Sequence, residues 1–189
     1  AWAEAGIGPV ELGAVSFHVA GKNAVDPTLF DFWVEMPPHG LVKGEDFLFG
    51  GSAGNRMGAA APAPGFAGLI YDYRAIAARS LTPQYRDRLP PNTIAGIMPS
   101  WDNTARRGPR AHIAHGATPA SFRNWLRGLC GGPLSQSYRG ELFINAWNEW
   151  AEKAMLEPST RFGRLYLDVL SETTALREQH HDDRTSAHG

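Results

Sequence analysis

Residues 94–98 read IAGIM, residues 118–132 read TPASFRNWLRGLCGG, and residues 142–146 read LFINA. The first and third are short apolar runs of the kind that forms buried strands. Between them, a Thr-Pro pair suits the start of a helix, apolar residues follow at helical spacing, and two glycines suit its end. Because a helix separates the two strands, the stretch predicts a βα unit in which the strands run parallel.

The same alternation continues on both sides of this unit. Further strands are predicted at Val10–Phe17 and Phe30–Glu35, further helices at Tyr73–Leu81 and Thr160–Arg177, and a short helix beginning at Thr82. The strands are almost continuously apolar, as expected when both faces of a parallel sheet are covered. The sequence therefore predicts an α/β fold with a mainly parallel sheet, and in such folds the functional residues gather at the carboxyl ends of the strands.

Composition excludes several classes of function. The chain has 189 residues, a formal net charge of −1 and a single cysteine, Cys130. The charge balance gives no basic surface for nucleic acid. One cysteine excludes an internal disulfide and a multi-cysteine zinc site. No apolar run reaches the ~20 residues of a membrane span, and no signal peptide or nucleotide-binding glycine motif is visible. We therefore predict a cytoplasmic location, no nucleic-acid partner, no membrane span, no cofactor and no bound metal.

Polar and aromatic side chains cluster at four predicted strand ends. The clusters comprise Glu35 with His39, Tyr71 beside Asp72, Trp101-Asp102-Asn103, and the segment from Asn148 to Glu152. These are the positions at which a parallel sheet collects its binding and catalytic groups.

The last of these clusters gives the strongest chemical signal. Residues 144–152 read INAWNEWAE and place Glu149 three residues before Glu152. A helical turn would hold the two Cβ atoms about 5–6 Å apart, and chemistry at a glycosidic bond uses two nearby carboxyl groups, one protonated and one ionised. The neighbouring indole rings would raise at least one pKa by desolvation. The alternative is a solvated helix face with the tryptophans in the core.

The loop after residue 98 is the second candidate. Asp102 and Asn103 are suited to bind sugar hydroxyls, and Arg106, Arg107 and Arg110 are suited to bind a phosphate or an acidic sugar. The alternative is an Asx turn followed by a solvated basic loop.

Two strings, TIAGIMPSWDNTARRG (93–108) and LFINAWNEWAEKAMLEPSTRFGRLYL (142–167), closely resemble the WbsX-like family. VEMPPHGL (34–41) and IYDYRAIAARSL (70–81) are also similar to segments of that family. Its members are described as glycosyltransferases of polysaccharide and O-antigen biosynthesis, and their barrel resembles that of glycoside hydrolase family 99. The resemblance implies a (β/α)8 barrel in a bacterial protein, with the site at the carboxyl ends of the strands.

The resemblance also implies roles for individual residues. In the hydrolase family, an E-W-x-E motif supplies both carboxylates, and residues 149–152 match it. By that analogy Glu149 is the base acting on the substrate 2-hydroxyl, and Glu152 is the acid assisting the leaving group. The motif departs from the hydrolase pattern at Ala151, where histidine is common, and at Lys153, where glycine is usual. Since Lys153 would lower the pKa of a neighbouring carboxylate, binding of a donor or acceptor by the pair stays an alternative.

Together these observations predict an enzyme domain that acts on glycosidic bonds in bacterial surface polysaccharide, with a carbohydrate or sugar donor as substrate. Glu149 and Glu152 are the expected catalytic residues. The expected sugar-binding residues are Trp101, Asp102, Asn103, Trp147, Asn148, Trp150, Glu35, His39 and Tyr71. The alternatives are a glycosyltransferase using an activated donor and a non-catalytic glycan-binding remnant.

Length sets a last expectation. A (β/α)8 barrel takes about 250 residues, whereas residues 1–178 hold about four strands, which is roughly the C-terminal half of one. The missing partner is then the N-terminal half of the barrel, and we expect the chain alone to be unstable or self-associating, and inactive. Gly50–Gly68 is predicted to be an irregular surface segment, and residues 179–189 a disordered tail.

Overall fold

The computed structural model describes residue 2 and residues 4–16 and 25–174. The predicted disordered tail, the end of the first predicted strand and the end of the last predicted helix lie outside these residues.

Strands and helices alternate along the described chain. The strands are β1 (Gly13–Val15), β2 (Phe32–Val34), β3 (Phe47–Phe49), β4 (Leu69–Asp72), β5 (Thr93–Ile97), β6 (His112–His115), β7 (Leu142–Ile144), β8 (Asn148–Glu149) and β9 (Ala154–Met155). The helices are α1 (Tyr73–Ser80), α2 (Pro83–Arg86), α3 (Thr104–Arg107), α4 (Pro119–Cys130) and α5 (165–174). The predicted α/β class with a mainly parallel sheet is confirmed.

The main sheet has four parallel strands in the order β1-β2-β5-β7. All four were predicted, although each observed strand is shorter than, or shifted by a residue from, its predicted range. The spatial order follows the order along the chain without reversal. Among the described residues the sheet is open, since neither β1 nor β7 has a strand on its outer side.

A second sheet, in the order β3-β4-β6, was not predicted as such. Strand β4 pairs in parallel with β6 and antiparallel with β3. Strand β6 reads HIAH, so its two histidines conceal the apolar pattern that identifies the other strands. Its strand conformation depends on pairing with β4 rather than on its own sequence.

The helices begin where the sequence places their caps. In α4, the Thr118 hydroxyl accepts a hydrogen bond from the Ser121 amide, and Pro119 occupies the first turn. Helix α5 begins at residue 165, five residues later than predicted. Before it, the chain forms a turn in which Ser159 bridges to Gly163, and Gly163 adopts a φ of +52° that favours glycine over a helical residue.

The core lies between the main sheet and helices α1, α4 and α5. Its largest buried side chains come from β5 and its following loop and from the inner faces of these helices. They include Tyr73, Ile76, Ile97, Met98, Trp101, Phe122, Trp125, Leu129, Tyr166 and Val169. Residues 50–68 form short 3-10 turns and irregular chain, as predicted. Within the described part of the chain, no helix has the length and apolar character needed to cross a membrane.

A buried carboxylate joins β2, β5 and α2. Glu35, at the end of β2, accepts hydrogen bonds from the Tyr85 hydroxyl at 2.6 Å and the Gly96 amide at 3.2 Å, and it forms an ion pair with Arg86. Burial raises the pKa of Glu35, while Arg86, Tyr85 and Gly96 oppose that effect. A Cβ at Gly96 would lie 2.2 Å from the Glu35 carbonyl oxygen, so glycine permits this close approach.

We predict that Arg86→Met destabilises the fold by about 3–5 kcal/mol, because it leaves the Glu35 carboxylate buried without its counter-ion. A carboxyl group whose pKa is higher in the folded than in the unfolded state binds more protons when the protein is folded. The free energy of unfolding therefore rises as the pH falls toward the pKa of that group in the unfolded chain. The loss should therefore be smaller near about pH 5 than at pH 7. Urea unfolding of the wild type and of Arg86→Met at both pH values measures this loss of stability.

The matched control is Arg139→Met, which removes the exposed ion pair between Arg139 and Glu11. Exposed pairs contribute little to stability, so this variant should unfold as the wild type does. Equal losses in the two variants would contradict the structural role given to Glu35 and Arg86.

Candidate functional site

The loops that follow β5 and β7 are joined at the carboxyl edge of the main sheet. The Asp102 amide donates to the Glu152 carbonyl at 2.7 Å, and the Ser100 hydroxyl donates to the Lys153 carbonyl. Because β5 and β7 are parallel neighbours, both of their carboxyl ends emerge at this edge. The two strongest sequence motifs therefore meet in space.

A cavity of about 670 Å³ lies beside these loops. Such a volume falls within the range of small-molecule binding sites. The residues that line it are Pro38, His39, Gly40, Val42, Phe47, Leu69, Tyr71, Trp101, Asn103, Arg106, Arg107, His112 and Glu152. Five predicted site residues are thus brought together: His39, Tyr71, Trp101, Asn103 and Glu152.

Glu152 is the carboxylate of the cavity. Its side chain is 15% exposed, and Arg106 Nη1 lies 2.7 Å from its Oε1. Burial raises the pKa of Glu152 above its usual value. The Arg106 charge opposes this shift, the negative charge of Glu149 adds to it, and His39 opposes it. A raised pKa makes Glu152 more readily protonated than an ordinary glutamate, and a protonated carboxyl group can act as a general acid.

The segment that connects Glu149 to Glu152 belongs to a β-hairpin and not to an α-helix. Glu149 lies on β8, which pairs antiparallel with β9, and a single 3-10 turn over residues 150–152 follows it. Lys153 then takes a left-handed conformation with a φ of +50°. Glu149 is close enough to affect the pKa of Glu152 but is not among the residues that line the cavity.

Lys153 pairs with the loop after β5. Its Nζ atom lies 2.5 Å from Asp102 Oδ2. Burial acts to raise the pKa of Asp102, but the hydrogen bonds from Lys153 and Thr104 outweigh it and hold that pKa below its usual value. The carboxylate whose pKa Lys153 lowers is therefore Asp102, whereas the pKa of Glu152 is raised.

Tyr71 carries a buried hydroxyl group that has no hydrogen-bond partner within the described part of the chain. The residue lies on β4 and is 2% exposed, and its Oη atom forms no hydrogen bond with any described residue. Burial, together with the negative charge of Glu152, raises its pKa. An unpaired buried hydroxyl is costly, so this atom is a candidate for contact with a ligand in the cavity.

Trp101 and Asn103 form the wall next to Glu152. The Trp101 ring packs edge-on against His39, with ring centroids 5.6 Å apart. Asn103 is buried, and its Oδ1 accepts a hydrogen bond from the His112 amide at 2.7 Å. This contact attaches the loop after β5 to β6.

The other predicted site residues lie outside the cavity. Trp147 and Trp150 are 53% and 48% exposed, so neither belongs to the core. The Trp150 indole nitrogen donates a hydrogen bond to the Glu157 carboxylate at 2.6 Å, and the residue is still partly exposed to solvent. Asn148 is also exposed, and Asp102 is bound by Lys153.

Glu35 differs from the other candidates because its carboxylate is taken up by protein groups. Both oxygens are engaged, one by Tyr85 and the other by Arg86 and the Gly96 amide. The structure therefore gives Glu35 a role in joining β2, β5 and α2.

Sequence reasoning missed the wall formed by the second sheet. Phe47, Leu69 and His112 come from β3, β4 and β6, and none was selected. The available signal was the apolar FLF run at 47–49 and the HIAH string at 112–115. Within the described residues, no group of three or more His, Cys, Asp or Glu side chains is placed to hold a metal ion.

Comparisons with known proteins agree with the resemblance of the motifs. The family described as Glycosyltransferase WbsX matches residues 1–170. Two relatives from strains of Xanthomonas campestris pv. campestris, each called "Uncharacterized protein WxcX", are 34% identical over 168 residues, which is 87% of this chain. The chain spans 22% of the length of these relatives. No solved structure matches it.

We predict that Tyr71→Phe leaves the free energy of unfolding unchanged or increases it, because the variant removes a buried hydroxyl group that no described residue pairs with. The control is Tyr73→Phe, since the Tyr73 hydroxyl donates to the Met98 carbonyl at 2.7 Å. Loss of that bond should cost about 1–3 kcal/mol. Chemical denaturation of both variants tests this, and a comparable loss in each would show that the Tyr71 hydroxyl has a partner after all.

Proposed function

Since the chain belongs to the glycosyltransferase WbsX family, we propose that it carries the acid–base site of an enzyme that transfers glycosyl groups in bacterial surface polysaccharide metabolism. The observation that carries this proposal is Glu152, a carboxyl group with a raised pKa in a cavity walled by aromatic side chains. Sugars are bound by such walls through their apolar ring faces, while nearby polar groups bind their hydroxyls.

The main sheet supports a barrel as the complete fold. Its four parallel strands keep the order in which they occur along the chain, although β3, β4 and β6 of the second sheet lie between them in sequence. Neighbouring strands of a (β/α)8 barrel also keep chain order. Open doubly wound sheets instead reverse their order at a switch point. We propose that further βα units pair with the outer sides of β1 and β7 to complete the barrel. The cavity then lies at the carboxyl face, where barrel enzymes hold their sites.

Glu152 is proposed as the general acid. As the bond between the anomeric carbon and the leaving oxygen breaks, Glu152 donates its proton to that oxygen. The acceptor oxygen forms the new bond to the anomeric carbon and gives its proton to a base. Glu149 is the proposed base, and its negative charge also favours the protonated form of Glu152.

The remaining candidates are proposed as sugar-binding residues in two groups. His39, Tyr71, Trp101 and Asn103 would surround the sugar next to Glu152. Trp147 and Trp150 would form an exposed platform for a second sugar. Asn148, which lies between them in sequence, and Asp102, which is paired with Lys153, would belong to the same group. Flat indole faces suit sugar rings, and their exposure leaves them open to a ligand.

We predict that Glu152→Gln lowers kcat by about 100-fold or more, because the amide cannot donate a proton as an acid. The intact polypeptide is assayed with nucleotide-sugars plus an oligosaccharide acceptor, and separately with oligosaccharides alone. Donor-dependent product indicates transfer to a sugar, whereas new reducing ends without a donor indicate hydrolysis.

The matched control is Glu141→Gln, an exposed glutamate before β7. It should retain wild-type turnover. Undiminished turnover by Glu152→Gln would remove this residue from the mechanism, whichever of the two reactions is observed.

A further prediction concerns the pH profile. Because the acid must be protonated, kcat/KM falls as the pH rises through the pKa of Glu152. The Arg106 charge lowers that pKa, so Arg106→Gln should move the falling limb to higher pH. Arg106→Lys should restore it toward the wild-type position. Arg110→Gln, in the same loop but outside the cavity lining, should not move it.

Glu149→Gln should have the opposite effect on the residual activity. Removing the negative charge of Glu149 takes away an interaction that raises the Glu152 pKa, so the falling limb should move to lower pH. Shifts in the same direction for Arg106→Gln and Glu149→Gln would contradict the assignment of that limb to Glu152.

A further inference from the structure

We propose that the cavity binds a negatively charged sugar, one bearing a carboxylate or phosphate group, with Arg107 contacting the anion and Tyr71 donating a hydrogen bond to the ligand. This inference names the substrate class of the proposed glycosyl-transfer site and therefore rests on that function. It follows from the charge balance of the cavity and from the buried hydroxyl group of Tyr71, a residue that lines the cavity.

Among the described residues, Arg107 is a cationic residue of the cavity lining that forms no ion pair. Arg106 is paired with Glu152, and Lys153 is paired with Asp102. Arg107 also lines the cavity, and it forms no ion pair with any residue in the described ranges. A guanidinium group binds a carboxylate or phosphate through two parallel hydrogen bonds. Arg107 is therefore available to an anion at the edge of the cavity.

The charge of Arg107 affects the pKa of His112, a neighbouring residue of the cavity lining. Burial lowers the pKa of His112, and electrostatic interactions with the Arg107 guanidinium and with His39 lower it further. His112 lines the same cavity as Arg107. The neutral imidazole favoured there can accept or donate a hydrogen bond without adding charge, so Arg107 remains the group that distinguishes an anion from a neutral sugar.

Tyr71 supplies the second, independent observation. Tyr71 lines the cavity, and its buried hydroxyl has no partner among residues 4–16 and 25–174. A phenol whose pKa is raised stays protonated and acts as a hydrogen-bond donor, and the oxygens of a sugar acid or sugar phosphate are acceptors. A ligand bound in the cavity would give this hydroxyl the hydrogen-bond partner that the described residues do not supply.

The test measures binding rather than turnover. Isothermal titration of the intact polypeptide at low ionic strength compares glucuronate, galacturonate, glucose 1-phosphate and galactose 1-phosphate with glucose and galactose. We expect at least one anionic probe to bind about tenfold more tightly than its neutral parent. Arg107→Gln should abolish that preference, and Tyr71→Phe should weaken binding of the preferred anion severalfold.

The matched control is Arg110→Gln, which removes an exposed arginine of the same loop that does not line the cavity. It should keep the preference for the anionic probe. Preference for the uronates identifies a carboxylate ligand, and preference for the phosphates identifies a phosphate ligand. The inference is overturned if no anionic probe binds better than its parent, if none binds at millimolar concentration, or if Arg110→Gln acts as Arg107→Gln does.

The two proposals fail in different ways. Loss of turnover in Glu152→Gln without any charge preference in binding overturns this inference and leaves the proposed function standing. If binding shows a charge preference that depends on Arg107 but Glu152→Gln keeps full turnover, this inference stands and the proposed role of Glu152 is overturned.

Discussion

The site depends on the parallel pairing of β5 with its two neighbours. Gly96, the next-to-last residue of β5, lies opposite Phe143 of β7 and donates its amide hydrogen to the buried Glu35 carboxylate that follows β2. A larger residue at that point would collide with the Glu35 carbonyl. Because all three strands run in the same direction, their carboxyl ends lie at one edge, and the loops that leave them are adjacent.

Opposite charges then join the loops to each other. Arg106 and Asp102 follow β5, and Glu152 and Lys153 follow β7, so the Arg106–Glu152 and Lys153–Asp102 pairs both cross from one loop to the other. The first pair limits the rise in the Glu152 pKa, and the second keeps the Asp102 pKa low. The two carboxyl groups thus have different environments a short distance apart along the same edge, and that difference permits different chemical roles.

Local sequence was informative wherever local physics decides the structure. The caps of α4, the glycines after it and the apolar runs of β5 and β7 are short-range signals, and the structure confirms each element. Strands β3 and β6 were missed because cross-strand partners, rather than their own residues, hold them in place. Their contributions to the cavity wall, Phe47 and His112, were missed with them. Glu35 was selected for its position at a strand end, but its burial with Arg86 could be seen only after α2 was packed against β2.

The sequence by itself determined the α/β class, the four strands of the main sheet, and the two motifs that meet at its carboxyl edge. It also determined which residue types are available there: two glutamates, several tryptophans and a group of arginines. Only the tertiary structure decided which of them share a cavity, since that depends on contacts between residues far apart in the chain. It placed Glu152 but not Glu149 in the cavity lining and paired Lys153 with Asp102. Among the described residues it left Arg107 without an ion pair and the buried Tyr71 hydroxyl without a hydrogen-bond partner. Charge and burial are properties of such three-dimensional neighbourhoods, so the spacing of residues along the chain does not reveal them.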